Sequence, residues 1–246
     1  MTDRGTLYCV STGPGDPELM TLKALRVIRE CPVVALSVDR EAKDGAERER
    51  CVAYTIARGA CPEIEEKEPL YLYMPMTKDR EVLARCHKNA AEQIMDCLKK
   101  GRSVAYLTLG DTSIYASCMY PAGLVREAGY PVEMVSGVPS FCAAAARLGE
   151  PLVSGAEQLH VLPSSYPLAE GLAYPGVKVL MKAGSRTGKV RELLAGKNLD
   201  VRGVERCGMD GERVYGSPEE LDESAGYYTV LVVKERQPGE AGKNTN

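Results

Sequence analysis

Histidine is scarce in this chain: there are two, His87 and His160. That rules out a histidine-rich metal centre and leaves histidine acid–base chemistry poorly supplied. His87 falls among charges in a helical stretch, where solvation accounts for it, and His160 falls in an apolar run, where it reads as a satisfied core residue. Excess positive charge is missing as well. With 31 Lys and Arg against 34 Asp and Glu the net charge is -3, which argues against a nucleic-acid partner, since such binding rests on clustered Lys and Arg facing phosphates. No apolar run approaches the ~18 residues of a membrane helix, and the opening stretch MTDRGTLYCVSTGPGDPEL lacks the apolar core of a signal peptide. The nine cysteines, at 9, 31, 51, 61, 86, 97, 118, 142 and 207, show no C-x-x-C and no zinc-like spacing. They read as free thiols in a reducing cytoplasm, with no metal and no membrane expected.

What the chain does contain is an alternation of short apolar runs with helical patterns. Its 246 residues, 44% hydrophobic, suffice for one large domain or two small ones, each with a proper core. Strands are expected near 6–10, 32–38 and 104–109, then 132–135, 158–162, 177–181, 201–205 and 227–233. A long amphipathic helix over 78–100 places Leu83, Ala90, Ile94 and Leu98 on one face and closes at Gly101. Charged residues 39–50 read as a solvated loop or the start of a helix through Val52, Ile56 and Ala57. Strand, helix, strand in succession implies α/β architecture with a parallel sheet and right-handed crossovers. After Ser117 the strands become shorter, which suggests two domains, 1–117 and 118–236, followed by a disordered tail at 237–246. Ser217-Pro218-Glu219-Glu220 has the form of a capping box.

Two strand ends attract chemistry. After the first strand, Ser11 to Pro17 runs into a helix whose face would be Leu19, Leu22, Leu25 and Ile28, with Asp16 as N-cap and Pro17 at its first position. G-x-G-x-x-G is not met, Pro14 and Pro17 lack N–H groups, and Asp16 has the wrong sign for phosphate, so a dinucleotide site is disfavoured. The other end is Leu109-Gly110-Asp111, following the strand at 104–109. Ligands of open α/β sheets bind beyond strand carboxyl ends, so Asp111 marks a crevice suited to an ammonium, a sulfonium or hydroxyls, unless it simply caps the next segment. Further on, SGVPSFCAAAARLG at 136–149 opens a helix at Pro139 and Ser140. Its alanines allow close approach of a backbone or flat ligand, although alanine is also simply a good helix former. Lys182, Arg186, Lys189 and Arg191 gather behind the strand ending at Met181, where they either hold carboxylates or merely solvate the surface.

Five segments, in order, carry a family resemblance: GPGDPELMTLKAL, LTLGD followed by Ile114-Tyr115, SGVPS, LMKAG, and CGMDGERV at 207–214. Together they resemble the tetrapyrrole (uroporphyrinogen, precorrin and corrin) methyltransferases, over nearly the whole chain to about Lys234. VAYTIA at 52–57, PMTKD at 75–79 and GVPSFCAAAARLG at 137–149 are similar to the C20 methylases that act on precorrin-2 or its cobalt-bound counterpart, cobalt-factor II. Ser11 and Thr112 depart from the family's usual glycine and proline. The resemblance implies a two-domain fold, parallel sheet first and mixed sheet second, with S-adenosylmethionine in the cleft between them, usually in a homodimer. By position it implies cofactor contacts at Pro14, Leu109, Gly110, Asp111, Ile114, Pro139, Ser140, Met181, Cys207, Gly208 and Met209. The first loop, with Gly13, Gly15 and Asp16, would face the tetrapyrrole, and Lys182 and Arg186 would meet its carboxylates. No catalytic acid or base is assigned; Tyr115, Asp111 or water would remove the C20 proton. The rival readings are a sibling methylase for another ring carbon, an RNA or protein methylase of the same fold, and a nucleotide-binding or purely regulatory protein, which predicts tight NAD or ATP binding for which the first loop is badly equipped.

Overall fold

Residues 104–108 are apolar and β-prone, and four of the five are buried, as a strand covered on both faces requires. This strand, β4 (Val104–Thr108), is the middle of five, in the order β3-β2-β4-β1-β5. The others are β1 (Leu7–Ser11), β2 (Val33–Val38), β3 (Glu68–Tyr73) and β5 (Val132–Val135), and every pairing is parallel. The computed structural model describes residues 4–40, 46–163, 166–184, 187–194, 197–221 and 225–235. Arg186 and the tail at 237–246 lie outside the described residues.

Helices α1 (Leu22–Glu30), α2 (Glu47–Arg50), α3 (Val52–Ala60), α4 (Arg80–Lys99) and α5 (Met119–Glu127) connect these strands. In α4, Asp79 accepts the N–H groups of Glu81 and Val82, and Gly101 stands just past the end at φ 73°, the left-handed stop that the sequence suggests. Ala90, Ile94 and Leu98 are buried against Leu7, Cys9, Val104 and Tyr106, while Leu83 is half-buried. Tyr106, fully buried, shares a 2.9 Å hydrogen bond with Ser37. His87 is not simply solvated: its ring stacks on Tyr120 of α5, 4.8 Å between centroids.

The first helix departs from expectation. Asp16 accepts the Glu18 N–H at 2.8 Å, but it caps only a 3₁₀ turn, Pro17–Leu19. The α-helix starts at Leu22 with Thr21 as its cap, bonded to the Ala24 N–H at 3.2 Å. This restart rotates the face: Ala24, Val27 and Ile28 are buried, and Leu22 is 85% exposed.

The chain divides into two units, Met1–Pro139 and Ser140–Asn246, so the boundary is not near residue 117. Strand β5 explains the difference. It pairs with β1 from Leu7↔Val132 to Val10↔Val135, which keeps residues 118–139 with the first sheet. The second unit holds α6 (Ser140–Leu148), β6 (Leu159–Pro163), α7 (Leu168–Gly171), β7 (Val177–Met181), α8 (Thr187–Leu194), β8 (Leu199–Glu205), β9 (Arg213–Tyr215) and β10 (Thr229–Glu235). Its sheet runs β6-β7-β10-β8-β9 and is mixed: β6 and β7 are parallel, and β10 runs antiparallel to β7 and β8. Leu162, Leu180, Val201, Leu231 and Val233 form its core with Val190 and Leu194 of α8. The expected capping box at 217–220 does not close. Ser217 makes no side-chain cap bond, and Glu220 instead accepts the Gly216 N–H at 2.8 Å. His160 is not a satisfied core residue either: it is half-buried, stacks on Tyr174, and its Nε2 has no partner among the described residues.

Two glycines distinguish local propensity from tertiary crowding. A methyl at Gly137 would sit 2.4 Å from Ser11 Cβ and 2.9 Å from the Gly110 carbonyl, whereas at Gly123, inside α5, it would meet nothing within 4 Å. Gly123→Ala should therefore raise stability in urea unfolding by about 0.5–1 kcal/mol. Gly137→Ala should lower it by about 2 kcal/mol.

Candidate active site

The loops after β1 and β4 leave the first sheet at its topological switch point. From β1 the chain passes to β2 beyond β4, and from β4 it passes to β5 beyond β1, so their carboxyl ends open a crevice. Main-chain bonds tie the two ends together: Gly13 N–H donates to the Gly110 carbonyl at 3.2 Å, and Gly110 N–H returns to Gly13 at 2.8 Å. Ser11 Oγ accepts the Thr112 N–H at 2.9 Å, and Thr12 donates its hydroxyl to the Thr108 carbonyl. Gly110 has φ 76°, with open space where a side chain would be, so backbone is presented to the crevice.

Asp111 is 6% exposed and anchors this end of the sheet. Its Oδ1 accepts the Ser113 N–H at 2.8 Å and also the Ser113 hydroxyl, and its Oδ2 accepts the Gly137 N–H at 2.6 Å. Burial works to raise its pKa, but the bonds from Gly137 and Ser113 outweigh burial and hold the carboxyl below its ordinary value. The capping reading of Asp111 is thus the one the geometry supports, and the cap reaches across to the segment after β5. A carboxylate offers about four lone-pair positions, so one acceptor site remains. Beside it, Thr112 Oγ1 is buried without a hydrogen-bond partner among the described residues. An ionised carboxylate, main chain left bare of a side chain at Gly110 and a hydroxyl without a partner among the described residues fit a ligand bearing ammonium and hydroxyl groups.

The remaining first-unit residues separate clearly. Leu109 and Ile114 are half-buried at the β4 end, with Ile114 N–H bonded to the Asp111 carbonyl at 3.2 Å. Gly13, Pro14 and Gly15 are buried, and the Asp16 carboxylate is engaged in its cap. Tyr115 is 51% exposed at φ 50°, a left-handed conformation costly for a side chain. Pro139 is half-buried at the unit's end.

In the second unit, the carboxyl ends of β7 and β8 lie at one end of the sheet, because both flank the start of β10, with Met181↔Val230 and Glu205↔Thr229. Met181 is buried, and Lys182 follows at φ 61° with its ammonium 5.1 Å above the Tyr227 ring. Glu205, 7% exposed, accepts the Tyr215 hydroxyl and the Gly226 N–H, each at 2.6 Å. The loop after β8 turns through left-handed Arg206, Gly208 and Gly211, with Cys207 and Met209 half-buried and Gly208 exposed. Glu212 accepts the Gly208 N–H at 2.8 Å and pairs with Arg147 of α6. Ser140, the first residue of α6, is half-buried.

Sequence reasoning missed Ser113, Gly137, Arg147 and Glu212. The Asp-x-Ser spacing at 111–113 is the signal for an Asx turn and would have found Ser113. The other three are contacts across 26 and 65 residues with no local mark. Among the described residues no three His, Cys, Asp or Glu side chains group as metal ligands, no helix is long and apolar enough to cross a membrane, and no two cysteines form a disulfide.

A parallel five-stranded sheet with a Gly-Asp switch point, followed by a mixed five-stranded sheet, is the two-domain fold of tetrapyrrole methyltransferases. One solved structure, uroporphyrin-III C-methyltransferase of Thermus thermophilus complexed with S-adenosyl homocysteine, superposes with a TM-score of 0.64, is 26% identical, and matches 94% of this chain and 98% of its own. The chain belongs to the Tetrapyrrole (Corrin/Porphyrin) Methylases, whose family model matches residues 6–222. A probable cobalt-precorrin-2 C(20)-methyltransferase of Methanocaldococcus jannaschii is 31% identical over 93% of this chain and 95% of its own. A precorrin-2 C(20)-methyltransferase of a Sinorhizobium species is 32% identical, again over 93% and 95%.

Removing the Asp111 carboxylate leaves the half-buried Gly137 N–H unsatisfied, so Asp111→Ala should lose about 1–2 kcal/mol in urea unfolding. The depressed pKa means that this contribution is present above the ordinary carboxylate value near ~4 and is lost as pH falls through the lower folded value. Asp111→Asn should accordingly flatten the acid limb of stability against pH. An unchanged acid limb would remove Asp111 from this role.

Proposed function

We propose that this protein transfers a methyl group from S-adenosylmethionine to C20 of a precorrin-2-type tetrapyrrole, metal-free or cobalt-bound, during corrin ring assembly. The observation that supports it most directly is the pair of C20 methylases matched along almost the whole chain. The crevice at the ends of β1 and β4 agrees in chemistry, since an ionised acid and open backbone suit a sulfonium amino acid and repel phosphate.

In this reading the donor is held by Pro14, Leu109, Gly110, Asp111, Ile114 and Pro139, and by Ser140, Met181, Cys207, Gly208 and Met209. Bound S-adenosylmethionine supplies an electrophilic methyl on sulfur. The chain's task is alignment: transfer to an electron-rich meso carbon is an in-line displacement, for which correct orientation is worth about 7–11 kcal/mol. Asp111 keeps its charge beside the site while remaining fixed by Ser113 and Gly137, so it orients without drifting. Gly13, Gly15 and Asp16 form the face toward the macrocycle, and Lys182 and Arg186 meet its carboxylates. The protein acts as a homodimer in a reducing cytoplasm and without nucleic acid. Tyr120 and Leu124, exposed one turn apart on α5, are apolar surface that a second copy would cover, and the free thiols agree with a reducing compartment.

Purified protein incubated with methyl-labelled S-adenosylmethionine and a panel of precorrins should label C20 alone. Methylation at another ring carbon overturns the assignment, and metal-free against cobalt-loaded precorrin-2 separates the two substrate forms. Lys182→Ala should raise KM for the tetrapyrrole about tenfold, the size of one charge-assisted hydrogen bond, and leave S-adenosylhomocysteine affinity unchanged by calorimetry.

A further inference from the structure

The loop at 206–212 is more ordered by its own bonds than a surface turn needs. Met209 N–H donates to the Arg206 carbonyl at 2.8 Å, Glu212 N–H to the Met209 carbonyl at 3.1 Å, and the Arg206 guanidinium to the Asp210 carbonyl at 2.7 Å. Glu212 then folds back onto the Gly208 N–H at 2.8 Å, and its other oxygen takes the guanidinium of Arg147, 65 residues earlier in the chain. Three left-handed residues, Arg206, Gly208 and Gly211, hold the turn in a shape that free chain would leave.

Arg147 is not at an arbitrary point of α6. Seven residues separate it from Ser140, two helical turns, so the two fall on one face of the helix about 10 Å apart along its axis. The Glu212–Arg147 contact therefore holds the 206–212 loop against the helix face on which Ser140 also lies. As an ion pair it adds little to stability, because the Arg147 side chain is 54% exposed. As a geometric constraint it fixes where the Cys207, Gly208 and Met209 backbone stands relative to α6.

We propose that Arg147 and Glu212 are positioning residues for the methyl donor: they brace the 206–212 loop on α6 so that its main chain is preset for the cofactor. This rests on the reading that Ser140 and residues 207–209 contact S-adenosylmethionine. Neither side chain takes part in methyl transfer itself; Glu212 acts through Gly208, and Arg147 acts through Glu212.

The test is S-adenosylhomocysteine binding by calorimetry to the full chain and to Arg147→Ala, Glu212→Ala, Glu212→Gln and the double alanine variant, with thermal melting and amide exchange at Gly208. Both single alanine variants should bind about tenfold more weakly, with KM for S-adenosylmethionine raised, kcat retained and melting nearly unchanged. The double variant should be no weaker than Glu212→Ala, since one residue acts through the other. Glu212→Gln keeps one oxygen, for the Gly208 N–H, and an NH2 that cannot accept from Arg147, so it should bind no more tightly than Arg147→Ala. Gly208 exchange should quicken wherever affinity falls. Wild-type affinity and exchange in both alanine variants would overturn the brace and leave the methyltransferase reading intact. Failure of the wild-type chain to bind S-adenosylhomocysteine would overturn both.

Discussion

Three parallel strands run out at one point in the first unit, and a single buried carboxylate joins the loops beyond them. Asp111, just past β4, accepts donors from Ser113 in its own turn and from Gly137 beyond β5, while Ser11 at the end of β1 accepts the next N–H, Thr112. The Thr112 N–H would otherwise be buried unpaired, at a cost of about 1–3 kcal/mol, and the Gly137 N–H half-buried. Close approach is part of the same arrangement, since Gly137 has no space for a side chain against Ser11 and Gly110. These bonds brace the strand ends from within the chain, and the Asp111 charge is met by donors from Ser113 and Gly137.

That bracing bears on the chemistry. A methyl transfer needs little acid–base assistance and much alignment, so the useful property of a site is that its parts do not move. The first unit has main-chain bridges between Gly13 and Gly110, and the second has turns stapled by Glu205 and Glu212. In both, an acid is engaged by N–H groups of the backbone.

The second unit is built differently. Its mixed sheet places the ends of β7 and β8 side by side at the start of β10, which brings Met181 and Lys182 to the same end as the Cys207 turn. The left-handed Lys182 and Arg206 stand just past those strand ends, where neighbouring structure over-determines the backbone.

Much of this was legible in the chain itself. Short apolar runs located eight strands but not β3 or β9, a period-3.6 pattern located α4, the Asp79 and Gly101 signals bounded that helix, and Gly110-Asp111 after an apolar run marked the carboxyl end of β4. Local rules suffice where a residue's partner is within about four positions, because the bond then depends on spacing alone. They failed where the partner was distant. Strand β5 reads as the start of a second half, yet it belongs to the first sheet because its pairing with β1 outweighs its position in the chain. Asp16 has every mark of an α-helix cap, but the 3₁₀ turn it caps gives way to a helix restarted at Thr21. The order of residues was enough for most of the elements and for the family. That Asp111 holds Gly137 and Glu212 holds Arg147 was decided by tertiary packing, since hydrogen bonds across 26 and 65 residues exist only once the sheets have formed.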